Sequence, residues 1–163
     1  MPFRLTSNAF KNGQYIPAEF TAYGENLSPE LSWTGHPVKT ASFALVLEDR
    51  DAKDKRIHWV LWNIPATAHS LAQGISSIPV LPDGTHQGRS DFNTVGYAAP
   101  RLAKVAEHNY VFTLYALDSI LNLKAGSSYE ELKTLMGGHA DPGGDATHWA
   151  FQTTERRSET SGS

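Results

Sequence analysis

The sequence predicts a mainly β protein built as one domain, and three observations carry that prediction. Dense apolar runs rich in aromatic and branched residues recur at Phe43 to Leu47, His58 to Ile64 and Tyr110 to Leu117, each bounded by polar or turn residues. Thirteen glycines and nine prolines in 163 residues cut the remainder into turns and loops. Only one stretch, Ser128 to Met136, carries helix signals at both ends.

Taken in order, residues 15 to 35 mix Tyr15, Ile16, Phe20, Leu27, Leu31 and Trp33 with Pro17, Gly24, Pro29 and Gly35. That pattern predicts short extended pieces joined by turns, with no helix. Ser42 to Leu47 reads as a strand, and its unbroken apolar run predicts burial on both faces. It ends at Glu48. A polar excursion to Arg56 leads into a second buried strand, His58-Trp59-Val60-Leu61-Trp62-Asn63-Ile64, which stops at Pro65 because the residue before a proline favours extended geometry. Residues 66 to 100 scatter Gly, Pro and Asp without periodicity and predict long loops carrying short strands.

Tyr110 to Leu117 is the strongest strand signal, with neither Gly nor Pro inside it. The helix follows at 128 to 136, where Ser127-Ser128-Tyr129-Glu130 supplies a capping-box pattern and Gly137-Gly138 a stop. Leu132, Leu135 and Met136 give it a packing face. Residues 139 to 145 return to a glycine-rich turn, and His148 to Thr154 reads as a closing strand or an irregular segment. Arg156 to Ser163 has no apolar anchor, so the expected organisation is one domain over 1–155 and a flexible tail over 156–163. A chain of this length buries roughly two-thirds of its extended surface, enough for one well-filled core.

Composition removes several function classes. With 40% hydrophobic and 10% aromatic residues and a net charge of −3, the chain has no broad basic field, so neither nucleic acid nor an anionic membrane surface is an expected partner. The absence of cysteine excludes a thiolate nucleophile, a disulfide and a thiolate zinc site. Met1-Pro2-Phe3-Arg4-Leu5 lacks a signal pattern, and no apolar stretch reaches the roughly eighteen residues needed to insert stably in a bilayer, so a cytoplasmic location is expected.

The chemistry gathers at strand ends. Glu48-Asp49-Arg50-Asp51 follows the first apolar run, His58-Trp59 opens the second and His108-Asn109-Tyr110 opens the third, so neighbouring strands would bring acids and imidazoles together. Asp49 and Asp51 lie two apart and would share a side in extended chain, where they could orient the tautomers of His58 and His108. The plainer alternative has them capping a turn or pairing with Arg50, Lys53 or Arg56. Each histidine could equally be a satisfied structural residue, and Trp59, Tyr97 and Tyr110 could be pocket walls or core aromatics. Metal binding by His58, His108 or His139 with Asp49 lacks a compact ligand spacing, and no cofactor is expected. No G-x-S-x-G, dinucleotide fingerprint or Walker loop is present.

Several segments in combination carry a resemblance: Ser28-Pro29-Glu30-Leu31-Ser32-Trp33, Glu48-Asp49-Arg50-Asp51-Ala52, His58 to Pro65, Gly96-Tyr97, His108 to Asp118 and Met136-Gly137-Gly138-His139. Spanning Ser28 to His139, they resemble the phosphatidylethanolamine-binding protein family, in particular its short bacterial and archaeal members similar to Raf kinase inhibitor protein. The resemblance implies a central antiparallel sheet, a smaller second sheet, peripheral helices and a small anion pocket. Carried over, Asp49 and Asp51 match the D-P-D acids, His58 the histidine before the strand tryptophan, and His108 and Tyr110 the ends of H-R-Y. Together with the loop from Tyr97 to Pro100 these are the expected ligand-binding residues.

There are departures. Arg50 and Lys53 replace the prolines of D-P-D-A-P, Ala98-Ala99-Pro100-Arg101-Leu102 replaces much of a G-P-x-P-P stretch, Asn109 replaces the H-R-Y arginine, and 139–145 replaces an apolar helical continuation. The expected function is non-enzymatic binding of a small phosphate-like anion or phospholipid head group, with regulation of a protein client. The alternatives are a hydrolase of small esters or phosphates using His58 or His108 as base, and an interaction protein with a degenerate pocket. The partners considered are thus a small anion, a protein client and a second copy in a homodimer.

Overall fold

The computed structural model describes residues 2–22, 24–101, 108–137 and 146–153, and within them the mainly β expectation holds. The strands are β1 (Arg4–Thr6), β2 (Gln14–Tyr15), β3 (Leu31–Thr34), β4 (Ser42–Asp49), β5 (Ile57–Pro65), β6 (Ser70–Leu71), β7 (His86–Gln87), β8 (His108–Leu117) and β9 (Ala146–Thr153). They form a six-stranded sheet, β2-β9-β8-β4-β5-β7, and a three-stranded sheet, β1-β3-β6. All pairings are antiparallel except β2 with β9. The central antiparallel sheet and smaller second sheet are as expected.

The unbroken apolar runs of β4 and β5 follow from their central place, with protein on both faces. Toward the small sheet, Phe43, Leu45, Leu47, Trp59, Leu61, Phe112 and Phe151 pack with Leu5, Leu31 and Trp33. Toward the other face, Ala44, Val46, Ile57, Val60 and Trp62 pack with Leu121 and with Leu132 and Met136 of helix α1 (Tyr129–Met136). Ser128 caps that helix reciprocally with Glu131, one residue further along than the Ser127–Glu130 pairing that the sequence pattern suggests. Gly137 ends it in a right-handed conformation; Gly138 lies outside the described residues, as do 139–145 and the tail from 154. Residues 15 to 35 hold one 3-10 turn, Ala18–Phe20, among their extended pieces, where no helix was expected.

Two irregularities on β5 shape the strand and the end that carries its histidine. Its register against β4 slips between Phe43 and Leu45, close to Asn63, whose φ of 56° is one that asparagine tolerates and whose amide clasps the Leu121 backbone through both its oxygen and its nitrogen. The second slip falls between Leu47↔Trp59 and Glu48↔Ile57, so His58 is the extra residue of a bulge. Bulges re-aim side chains, and this one sits at the strand end that holds the imidazole.

Candidate functional site

β4 and β8 run antiparallel with Asp49 opposite Tyr110, so His108, two residues from Tyr110 on the same face, is a diagonal neighbour of Asp49. The His108 Nδ1 and Asp49 Oδ2 are 2.7 Å apart, so Nδ1–H donates to the carboxylate. The other oxygen, Oδ1, accepts from the backbone N–H of Asp51 at 2.9 Å and of Ala52 at 3.2 Å. One carboxylate therefore both orients an imidazole and caps a turn, combining the two readings that the sequence left open. Asp49 is 4% exposed and His108 opens toward solvent.

His58 is clasped by a single residue. Its Nδ1–H donates to the Ala98 carbonyl at 2.7 Å, and its own carbonyl accepts from the Ala98 N–H at 2.9 Å. Because a carbonyl can only accept, this fixes the neutral tautomer with Nδ1 protonated. The ring lies 5.1 Å from the Tyr110 ring and 4.8 Å from that of Phe92, whose face also meets the Lys55 ammonium at 5.9 Å. Burial pushes the His58 imidazole below its ordinary value, against the Ala98 bond and the Asp49 and Asp91 carboxylates, while Arg101 adds to the lowering. Burial first, and then the Asp49 carboxylate, raise the Tyr110 hydroxyl, which stays protonated.

Asp49, His58, His108 and Tyr110 thus meet at one end of the large sheet. In both imidazoles Nδ1 makes the ring's hydrogen bond to the described protein, leaving Nε2 for a ligand. The other expected residues stand around this group. The chain turns at Arg50 and Asp51, which ends the same-side relation of extended backbone, and the exposed Asp51 carboxylate accepts from the Asn109 backbone N–H at 2.6 Å and its amide at 3.0 Å. The Asn109 backbone bond is the main reason the Asp51 carboxyl lies below its usual range. Asn109 therefore ties the loop to β8 without the charge of an arginine. Tyr97 spends its hydroxyl on the Phe20 carbonyl at 2.7 Å and stacks edge-on against Trp59, a core role. Pro100 is buried and its carbonyl accepts from Ala22.

One contributor, Phe92, is missed by sequence reasoning. Ala98 falls within the expected Tyr97 to Pro100 loop but acts through its backbone, which leaves no side-chain signature. Phe92 has a legible signal, a lone aromatic in the polar run Asp91-Phe92-Asn93-Thr94. Arg56 closes the 48–57 loop by donating to Glu48 and to the Ala52 and Arg50 carbonyls. No group of three metal-ligating side chains occurs among the described residues, and His139 lies outside them.

These features define a two-sheet β protein whose larger sheet ends in a carboxylate–imidazole cluster, and comparison with known proteins gives that class a family. The family model for phosphatidylethanolamine-binding protein matches residues 6–143, and the chain belongs to that family. A UPF0098 protein of Methanothermobacter thermautotrophicus is 42% identical over 136 residues, covering 83% of this chain and 89% of that one. UPF0098 protein YbhB of Escherichia coli is 37% identical over 123 residues, covering 71% and 78%. Among solved structures, E. coli YbcL, described as a member of the mammalian PEBP family, superposes with a TM-score of 0.85 at 27% identity, covering 96% of this chain and all of that one. CT736 of Chlamydia trachomatis, proposed to be a PEBP homolog, gives 0.82 at 30% identity, covering 94% and 97%. No described helix is long and apolar enough to cross a membrane.

Proposed function

We propose that the pocket binds a small phosphate-like anion without transforming it. The observation that carries this reading is that two imidazoles beside the buried Asp49 carboxylate are each held at Nδ1, which leaves each Nε2 for a ligand. The family's name points to a phospholipid head group, and the chemistry such a ligand shares with free phosphate is its oxyanion.

A bound oxyanion requires a proton at Nε2 of His58. Either the ring carries it, or a monoprotonated phosphate donates its own to the lone pair. Burial disfavours the imidazolium of the empty pocket, and an anion against Nε2 reverses that preference, so binding takes up a proton. Affinity therefore rises as pH falls through the range of imidazole, about 6.5, and of a phosphate monoester, about 6. Calorimetry with inorganic phosphate at constant ionic strength is expected to give at least about tenfold tighter binding near pH 5.5 than near pH 8. Binding that is flat across that range, or unaltered in both His58→Ala and His108→Ala folded variants, would reject the histidine-centred site.

The Asp49–His108 bond also has the form of an oriented general base, which favours hydrolysis as the second reading. No serine or threonine hydroxyl of the described residues is hydrogen-bonded to either ring, so the nucleophile would be water. Turnover of a small ester or phosphate monoester that disappears in His108→Ala would establish that reading instead.

A further inference from the structure

Phe92 and Ala98, which contact the His58 ring, also line a cleft of about 470 Å³. That volume falls within the roughly 300–1,000 Å³ of sites for whole organic ligands and is larger than a single oxyanion needs. Asn26, Ser77, Val95 and Arg101 line it as well. Arg101 is exposed and makes no ion pair among the described residues. Its charge nevertheless reaches His58, where it opposes protonation of the ring. The Asn26 carbonyl oxygen is occupied by the Ala99 N–H at 3.1 Å, so its amide NH2 is the end available to a ligand.

The cleft therefore supplies a cation and neutral donors beside a pocket already suited to a phosphoryl group. We propose that the ligand is an organic phosphate bearing a second acidic group, its phosphoryl end at the two imidazoles and its second acid at Arg101 in the adjoining cleft that Phe92 and Ala98 help to line. This rests on the anion-binding reading and adds a ligand class to it. Arginine suits the role because its planar fork pairs with a carboxylate or phosphate through two parallel hydrogen bonds.

The test is calorimetry on the full chain with inorganic phosphate, glycerol 3-phosphate and 3-phosphoglycerate at one pH and ionic strength. The expected result is binding of 3-phosphoglycerate at least about tenfold tighter than glycerol 3-phosphate, the step that one charge-assisted bidentate contact supplies. Arg101→Gln should erase that advantage, and Ala22→Trp, which adds bulk to the lining of the cleft from an exposed position, should weaken both esters relative to inorganic phosphate. Equal affinities for the two esters, or an advantage that survives Arg101→Gln, would overturn the two-acid ligand while leaving the pocket intact. Failure of inorganic phosphate itself to bind would overturn the pocket reading, and this one with it.

Discussion

Replacing Trp59 with alanine is expected to remove about 5 kcal/mol of stability, a large share of the roughly 5–15 kcal/mol that holds a domain folded. Trp59 is fully buried between the sheets, and its indole Nε1–H donates to Gln87 Oε1 at 2.8 Å. Gln87 is also fully buried, and its amide donates to the Ser76 and Ile78 carbonyls, so this one side chain fixes the 76–78 loop. Truncation leaves a large cavity, about 3–5 kcal/mol for a buried aromatic, and orphans an acceptor at about 1–3 kcal/mol more. Trp59→Phe keeps most of the packing and should cost only about 2 kcal/mol, mostly the orphaned oxygen. Urea unfolding of the two variants would measure both. A loss below about 2 kcal/mol in Trp59→Ala would mean that the surrounding core collapses around the gap.

Asp49→Ala is expected to cost about 3 kcal/mol, although no apolar volume of consequence is lost. The buried carboxylate receives the His108 ring N–H and two backbone N–H groups. Removing it strands donors that the fold keeps from water, discounted because the His108 ring is partly solvated. Asp49→Asn separates the two duties of the carboxylate. Its carbonyl oxygen can still cap the Asp51 and Ala52 turn while its NH2 faces Nδ1 and forces the other imidazole tautomer. That variant should retain at least half of the lost stability. Equal destabilisation by Ala and Asn would show that the ring bond, not the turn cap, holds this end of β4.

The strands that position these residues were legible because they are central. β4, β5 and β8 are covered on both faces or carry one wholly apolar face, so their runs stand out against the polar chain around them. β2, β6 and β7 span two residues each, too few for a period-two pattern to register. Helix α1 was legible from its cap chemistry, with only the pairing of the box displaced by one residue. Asp49, His58, His108 and Tyr110 could be read as a group because strand ends converge when the strands are neighbours. The bulge that turns His58 and the Ala98 clasp that holds it could not, since both are backbone events that place no demand on residue type. Tyr97 illustrates the converse: an aromatic beside the site is visible in sequence, but the Phe20 carbonyl that claims its hydroxyl belongs to a distant 3-10 turn. Asn109 was legible only as the loss of an arginine, whereas in the fold it secures Asp51 by two hydrogen bonds.

The central claim is that His58 and His108 present their Nε2 atoms to one bound oxyanion. Nitrogen NMR of the imidazole rings during titration with inorganic phosphate near pH 6 tests it most directly, because the resonances of the two ring nitrogens report tautomer and protonation separately. Nε2 of both rings is predicted to shift with one shared saturation curve, while Nδ1 keeps the signature of a protonated nitrogen bonded to Ala98 or Asp49. Saturation with only one ring responding, or with Nδ1 released from its partner, would contradict the account.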